Sequence, residues 1–558
     1  MMLILLILSL SSWASAAFGR RSACIIQSGK LRIEGQKKGE HCEYLGIPYG
    51  SAERWKAAKL VPLPENKIFA RQFGPTCHQL HGTPQDRIDK IVMKPRAPEI
   101  EESSKDGCLN LNVLTSFPRT DGSLRPVLVF IHGGQFNAYG SSTPLFDAGG
   151  LVNARPDDVV VVSLNYRLNV LGFMMVPEKG HGYNGNFGLL DQRLALEWVQ
   201  KYITIFGGDP KNVTLMGQSA GSISVEYQLL MADKLGGAPF HKAIMLGGTA
   251  HGRPIVPLEM AEVLFKDLAI EVGCSRHPNF KNEQEPDEDQ SQVLRCMRNK
   301  PAKKLIKAAL ALGYVHTWGP IIDGELFNGN VQEMLQTRKI PNIPIAIFSL
   351  PEETSLFVDK QVDRILHPNS KMNLQLLRDS LPLYEKFYPQ MSKRDLLVRM
   401  MTDALLVGPN TDLVRKLKHR GLNNVGHYQM LTNWHWIVGL FSPKATGSFH
   451  GSELAYLFDF RLANRRLVHS PDVERFNLQL ILLNFCREGE IVPVEGVLWA
   501  MDENAIGEEV EHWIKAGNPV TPLDPVTAQM SAEGFAETML SECYLYFPLN
   551  CDDQVELD

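Results

Sequence analysis

Val213-Thr214-Leu215-Met216-Gly217-Gln218-Ser219-Ala220-Gly221 is the stretch that decides the fold. The apolar run from Val213 to Met216 reads as a strand, and the residues after Gly221 are compatible with a helix. A strand that turns sharply into a helix around a serine needs small neighbours, because a Cβ at either flanking glycine would clash inside the turn. The Gly-x-Ser-x-Gly pattern therefore predicts a nucleophile elbow that pushes Ser219 Oγ out to where a substrate can meet it.

Upstream, Val127-Leu128-Val129-Phe130-Ile131 reads as another strand and runs into His132-Gly133-Gly134-Gln135-Phe136. This loop resembles the His-Gly-Gly loop that supplies backbone N–H donors to an oxyanion in α/β-hydrolases. Further strands are predicted at 159–164, 242–246 and 343–348, with a helix over 191–202. Strands alternating with helices imply a central, mostly parallel sheet with helices on both faces. In such a sheet the loops at the carboxyl ends of the strands form the site, so the elbow and the glycine loop can converge on one rim.

Gly46-Ile47-Pro48-Tyr49-Gly50, Cys108-Leu109-Asn110-Leu111-Asn112-Val113, Ser163-Leu164-Asn165-Tyr166-Arg167, Gly188-Leu189-Leu190-Asp191-Gln192, Phe206-Gly207-Gly208-Asp209-Pro210 and His450-Gly451-Ser452-Glu453-Leu454 occur in that order. With these motifs the chain resembles the type-B carboxylesterase/cholinesterase family of α/β-hydrolases, from about residue 24 to the mid-400s. The resemblance implies an α/β-hydrolase fold with long loop insertions, and a serine esterase whose nucleophile is Ser219. It places the acid at Glu353, aligned through Ser355 and Phe357, with Thr354 where the family has glycine; Glu352 reads as a solvated neighbour. The base is His450. A serine needs an imidazole to take its proton and a carboxylate to hold the tautomer of that imidazole.

Ala220, Gly134 and Gln135 correspond to the family's oxyanion donors. Gln135 departs from the family glycine and brings a carboxamide beside the acyl group. His132 is expected to shape its loop, and His427 and His435 to be structural. The reaction implied is acyl transfer to Ser219 followed by hydrolysis, without a metal or organic cofactor; no Cys-x-x-Cys pair suggests zinc. The loop between Cys77 and Cys108 has no tryptophan to hold a quaternary ammonium, which argues against choline esters. Gln218 before the serine, in place of the commoner Glu, is similar to insect juvenile hormone esterases, whose substrate is a long apolar ester. A small-molecule or lipid-like ester is the expected partner. The alternative is a weakly active or non-catalytic cholinesterase-like adhesion or binding protein, because the family includes such members and Gly247-Gly248-Thr249 stands where Ser-Gly-Ser is common.

Residues 1–16 read as a signal peptide, with an apolar core from Leu3 to Leu10 and the small-x-small site Ala14-Ser15-Ala16. Residues 17–558 are then one domain, expected to be secreted. No later stretch approaches about 20 consecutive apolar residues, so no membrane span is expected. A net charge of -5 with dispersed basic residues offers no footprint for nucleic acid. The nine cysteines lie after the cleavage site, where disulfides form. The family pattern implies Cys77 with Cys108 and Cys274 with Cys296. Cys24 with Cys42 and Cys543 with Cys551 are further pairings, which leaves Cys486 as an inert core thiol. The run 283–289 reads as an acidic surface excursion, and Asn212-Val213-Thr214 is a glycosylation sequon at the start of an interior strand.

Overall fold

The computed structural model describes residues 24–79, 94–101, 107–116, 121–155, 159–176, 185–253, 255–275, 290–313, 318–355, 381–382, 384–386, 388–430, 448–458, 461–462, 465–466, 472–491 and 498–501. The signal peptide, the 283–289 run, His435, Phe357, Cys543 and Cys551 lie outside the described residues.

A ten-stranded sheet organises the chain. Its strands are β1 (Gln36–Lys38), β2 (His41–Pro48), β3 (Asn110–Thr115), β4 (Arg125–Ile131), β5 (Val160–Leu164), β6 (Gly208–Gln218), β7 (Lys242–Leu246), β8 (Ile345–Ser349), β9 (Val425–Met430) and β10 (Leu498–Met501). They lie in the order β10-β9-β8-β7-β6-β4-β5-β3-β2-β1. The pairings from β5 through β4, β6, β7 and β8 to β9 are all parallel. The flanks are antiparallel, with β1 to β3 on one side and β10 on the other.

Every residue of β5, β7 and β8 is buried. Such continuous apolar runs are expected of parallel strands covered on both faces. Alternation along β4 divides the core. Val127, Val129 and Ile131 join the cluster that contains helices α1 (Phe187–Tyr202) and α2 (Ala220–Met231). Leu128 and Phe130 point the other way, into a cluster with Ile481 and Leu482 of α3 (Asp472–Glu488). Each such side chain contributes roughly 1.5–3 kcal/mol relative to leaving it in water. The strand ends are therefore firm supports for the loops attached to them.

Disulfides join Cys24 to Cys42, Cys77 to Cys108 and Cys274 to Cys296. Among the described residues Cys486 is the free cysteine, buried on α3, and burial pushes its thiol up to about 12. A thiol held protonated there is a poor nucleophile. Asn212 is half-buried on β6 and its carboxamide oxygen accepts from Lys242 Nζ.

Candidate active site

Ser219 stands between β6 and α2 with φ 56° and ψ −125°. Its N–H donates to Leu246 O at the end of β7 (2.8 Å) and its carbonyl accepts from Ile223 N–H (2.9 Å). These bonds hold a backbone conformation that costs a non-glycine residue on the order of 1–3 kcal/mol. The flanking glycines are required sterically. A Cβ on Gly217 would lie 2.0 Å from Gly221 O, and one on Gly221 would lie 2.1 Å from Ile131 O. Ser219 is half-buried.

Glu353 lies in the turn after β8, fully buried. Its Oε1 accepts from Leu350 N–H at 3.0 Å and its Oε2 lies 2.6 Å from His450 Nδ1. His450 N–H also donates to Glu353 O at 3.2 Å. A carboxylate against Nδ1 fixes the proton on that nitrogen and leaves Nε2 as the acceptor. Burial alone would lower the pKa of His450, but the hydrogen bond and charge of Glu353, with the charge of Glu453, reverse this and raise it. Gly247, in the left-handed region at φ +64°, backs this pair: a Cβ there would come within 3.0 Å of His450 Cε1 and 3.3 Å of Glu353 Oε1. Thr354 strengthens the acid turn, since its Oγ1 donates to Val398 O at 2.8 Å and its N–H to Thr402 Oγ1 at 3.3 Å, anchoring it to the helix Lys393–Thr402.

Glu352 is not the solvated neighbour expected from sequence. It is half-buried, its Oε2 accepts from Ser448 N–H at 2.8 Å, and burial raises its pKa against the opposing pull of that bond and of Arg399. The turn thus grips the histidine segment at two points, Ser448 and His450, 97 residues away in sequence from the acid. Removing the first grip is expected to loosen the base without abolishing it. Glu352→Ala should lower kcat/KM on p-nitrophenyl acetate by about 10- to 100-fold, the worth of one hydrogen bond to a charged group at ~1.5–3 kcal/mol. Glu353→Gln should lower it by ~10⁴-fold, since the amide favours the wrong tautomer. A far larger loss in Glu352→Gln than in Glu353→Gln would show that the acid has been placed one residue wrong.

The glycine loop leaves β4 and lies against the elbow. A Cβ on Gly133 would come within 2.9 Å of Ser219 Cβ, and Gly134 has φ +102°. Gln135 and Phe136 come next at φ 56° and 63°. The turn is closed by Asn137 and Ala138 N–H groups on Gly134 O (2.9 and 3.1 Å) and by Asn137 Nδ2 on Gln135 O (2.7 Å). Phe136 is buried edge-on to Phe173, with ring centroids 5.0 Å apart. Ala220 occupies the first position of α2, where a helix N–H has no intrahelical acceptor.

His132 is buried and stacked on Tyr166 at 4.5 Å, its Nδ1 lies 2.8 Å from Gly133 O, and burial pushes it down to about 4. His427 lies between Ser349 Oγ (2.8 Å) and Thr411 Oγ1 (3.0 Å), pushed down to about 3 by burial. Both are neutral core residues; His427 has a partner on each ring nitrogen, whereas His132 Nε2 is buried without one among the described residues. Sequence reading missed a buried pair behind the elbow: Glu226 of α2 accepts from Ala250 N–H at 2.6 Å and meets His251 Nδ1 at 2.9 Å. It also missed Glu453, which burial and the neighbouring charge of Glu353 push up to about 8.

The chain is 27% identical over 492 residues to a cholinesterase of Mus musculus, a match covering 81% of this chain and 76% of that protein. The carboxylesterase family model matches residues 25–514. That range includes both the elbow and the segment carrying His450, and the chain belongs to the carboxylesterase family.

Proposed function

We propose that this protein is a secreted serine esterase that hydrolyses a carboxylic ester through an acyl-enzyme on Ser219. The family supports ester hydrolysis. The observation that carries the finer reading is the 2.6 Å contact of His450 Nδ1 with Glu353 Oε2, while the other ring nitrogen lies 3.3 Å from the side chain of Gln218, the residue before Ser219 at the elbow. In this reading His450 Nε2 takes the Ser219 proton as Oγ attacks the ester carbonyl, and Glu353 stabilises the imidazolium that forms. The N–H groups of Gly134, Gln135 and Ala220 receive the charge developing on the carbonyl oxygen. His450 returns the proton to the leaving alcohol, then activates water to release the acid. No step asks for a metal or organic cofactor.

The disulfides favour an oxidising compartment, which agrees with secretion. The absence of tryptophan between Cys77 and Cys108 argues for an uncharged or lipid-like ester over a choline ester. A fluorophosphonate probe tests the nucleophile directly. The folded protein should be labelled, peptide mapping should place the adduct on Ser219, and Ser219→Ala should not react. A folded protein that stays unlabelled would instead favour the binding-protein alternative.

A further inference from the structure

Gln218, the last residue of β6, carries a polar side chain and is nevertheless buried. Its Nε2 lies 3.3 Å from His450 Nε2. Because Glu353 holds the imidazole proton on Nδ1, the other ring nitrogen carries a lone pair, and the Gln218 amide N–H donates to it. That same lone pair is the one that has to receive the Ser219 proton. The carboxamide occupies a slot between two loops. A Cβ on Gly133 would come within 2.8 Å of Gln218 Oε1, and one on Gly451 within 3.4 Å of its Nε2. Glycines on both sides leave the slot its room.

We propose that Gln218 is a positioning residue that caps the His450 lone pair with its amide N–H in the resting enzyme and thereby holds the imidazole neutral beside Ser219. The proposal rests on the assignment of Ser219, Glu353 and His450 as one catalytic unit. When Oγ attacks, its proton moves to Nε2, and the new N–H faces the amide N–H₂. Two donors repel, so the carboxamide turns its Oε1 toward the imidazolium and accepts from it. An amide can serve both protonation states because it carries a donor and an acceptor. A carboxylate at this position would favour only the charged imidazolium.

The other ionisable groups facing the imidazole, among the described residues, are Glu353 from the acid turn and Glu453 from the histidine segment itself. Glu352 touches that segment at Ser448. Gly247, which backs the ring, brings no charge. Since Glu453 also acts on the imidazole and its own pKa is raised by burial and by Glu353, its contribution has to be separated from that of Gln218.

The proton affinity of His450 is read in two ways, from the acid limb of kcat/KM on p-nitrophenyl acetate and from the NMR titration of ¹³C-histidine-labelled protein, with the signal assigned by its loss in His450→Gln. Wild type, Gln218→Glu and Gln218→Met are compared, each also with Glu453→Gln. Gln218→Glu, nearly isosteric, should raise the titration of His450 by about one pH unit or more, and Gln218→Met by about half a unit, in both backgrounds. A titration within about 0.2 units of wild type in both Gln218 variants, with wild-type turnover intact, overturns this proposal alone and leaves Gln218 as packing. Absence of turnover in wild type overturns the catalytic assignment, and the role of Gln218 with it, whatever the titration shows.

Discussion

Ser219→Ala and His450→Ala should each lower kcat/KM on p-nitrophenyl acetate by on the order of 10³-fold or more, and the double variant should be scarcely worse than either single one. The non-additivity comes from the geometry. His450 is useful only while Ser219 has a proton to give, and Ser219 is a weak nucleophile without a base. Ser219 is half-buried and its change to Ala opens no core cavity, so that variant should unfold close to wild type. His450→Ala leaves the buried Glu353 carboxylate without its partner and should lose stability as well as activity, so its kcat is compared at a temperature where it is folded. Near-normal hydrolysis by folded Ser219→Ala would remove the mechanism. Additive losses in the double variant would show that the two residues do not act as a unit.

The parts of this site that could be read from sequence are those whose chemistry is local. The elbow is specified within five residues, because the clashes that exclude a Cβ at Gly217 and Gly221 arise from the turn itself and the strand it packs against. The apolar runs of β4, β5, β7 and β8 announced buried parallel strands for the same reason. Pairing direction is not local, and the antiparallel flanks formed by β1 to β3 and β10 went unread. So did the start of β6 at Gly208, five residues ahead of the expected Val213, where an irregular register pairs Gly208 with Arg125. The contacts of Glu352 and Gln218 that sequence reading did not foresee are long-range. Glu352 is tied to a segment 96 residues later, and Gln218 meets an imidazole 232 residues away. Both residues are polar and look solvent-facing in their own stretch of sequence. Their burial is decided by loops that arrive from elsewhere.

Gly134→Ala should lower kcat by ~10²–10³-fold, the typical loss of one oxyanion donor at ~2.7–4 kcal/mol, while leaving KM nearly unchanged. An added Cβ would fall 2.3 Å from Ala138 O and 2.6 Å from Tyr139 Cδ2, at a φ of +102° that an alanine resists. Something has to move, and the near contact is backbone. The carbonyl of Gly134 also accepts the N–H groups of Asn137 and Ala138 that close the turn. Any shift at Gly134 therefore re-aims its own N–H and that of Gln135 together. The loss falls on kcat because these donors meet an oxyanion that exists only in the transition state, whereas the ground-state ester asks little of them. Gly237→Ala supplies the control for backbone strain. Its φ is +106°, almost the same, but nothing lies within 4 Å of the added carbon, so it should cost some stability and no activity. Fluorophosphonate labelling of Ser219 should slow in Gly134→Ala in proportion to kcat, because phosphorylation also builds negative charge on an oxygen held in that loop. A folded Gly134→Ala variant with kcat within about threefold of wild type would show that this loop does not stabilise the oxyanion, since a single lost donor is worth at least tenfold more.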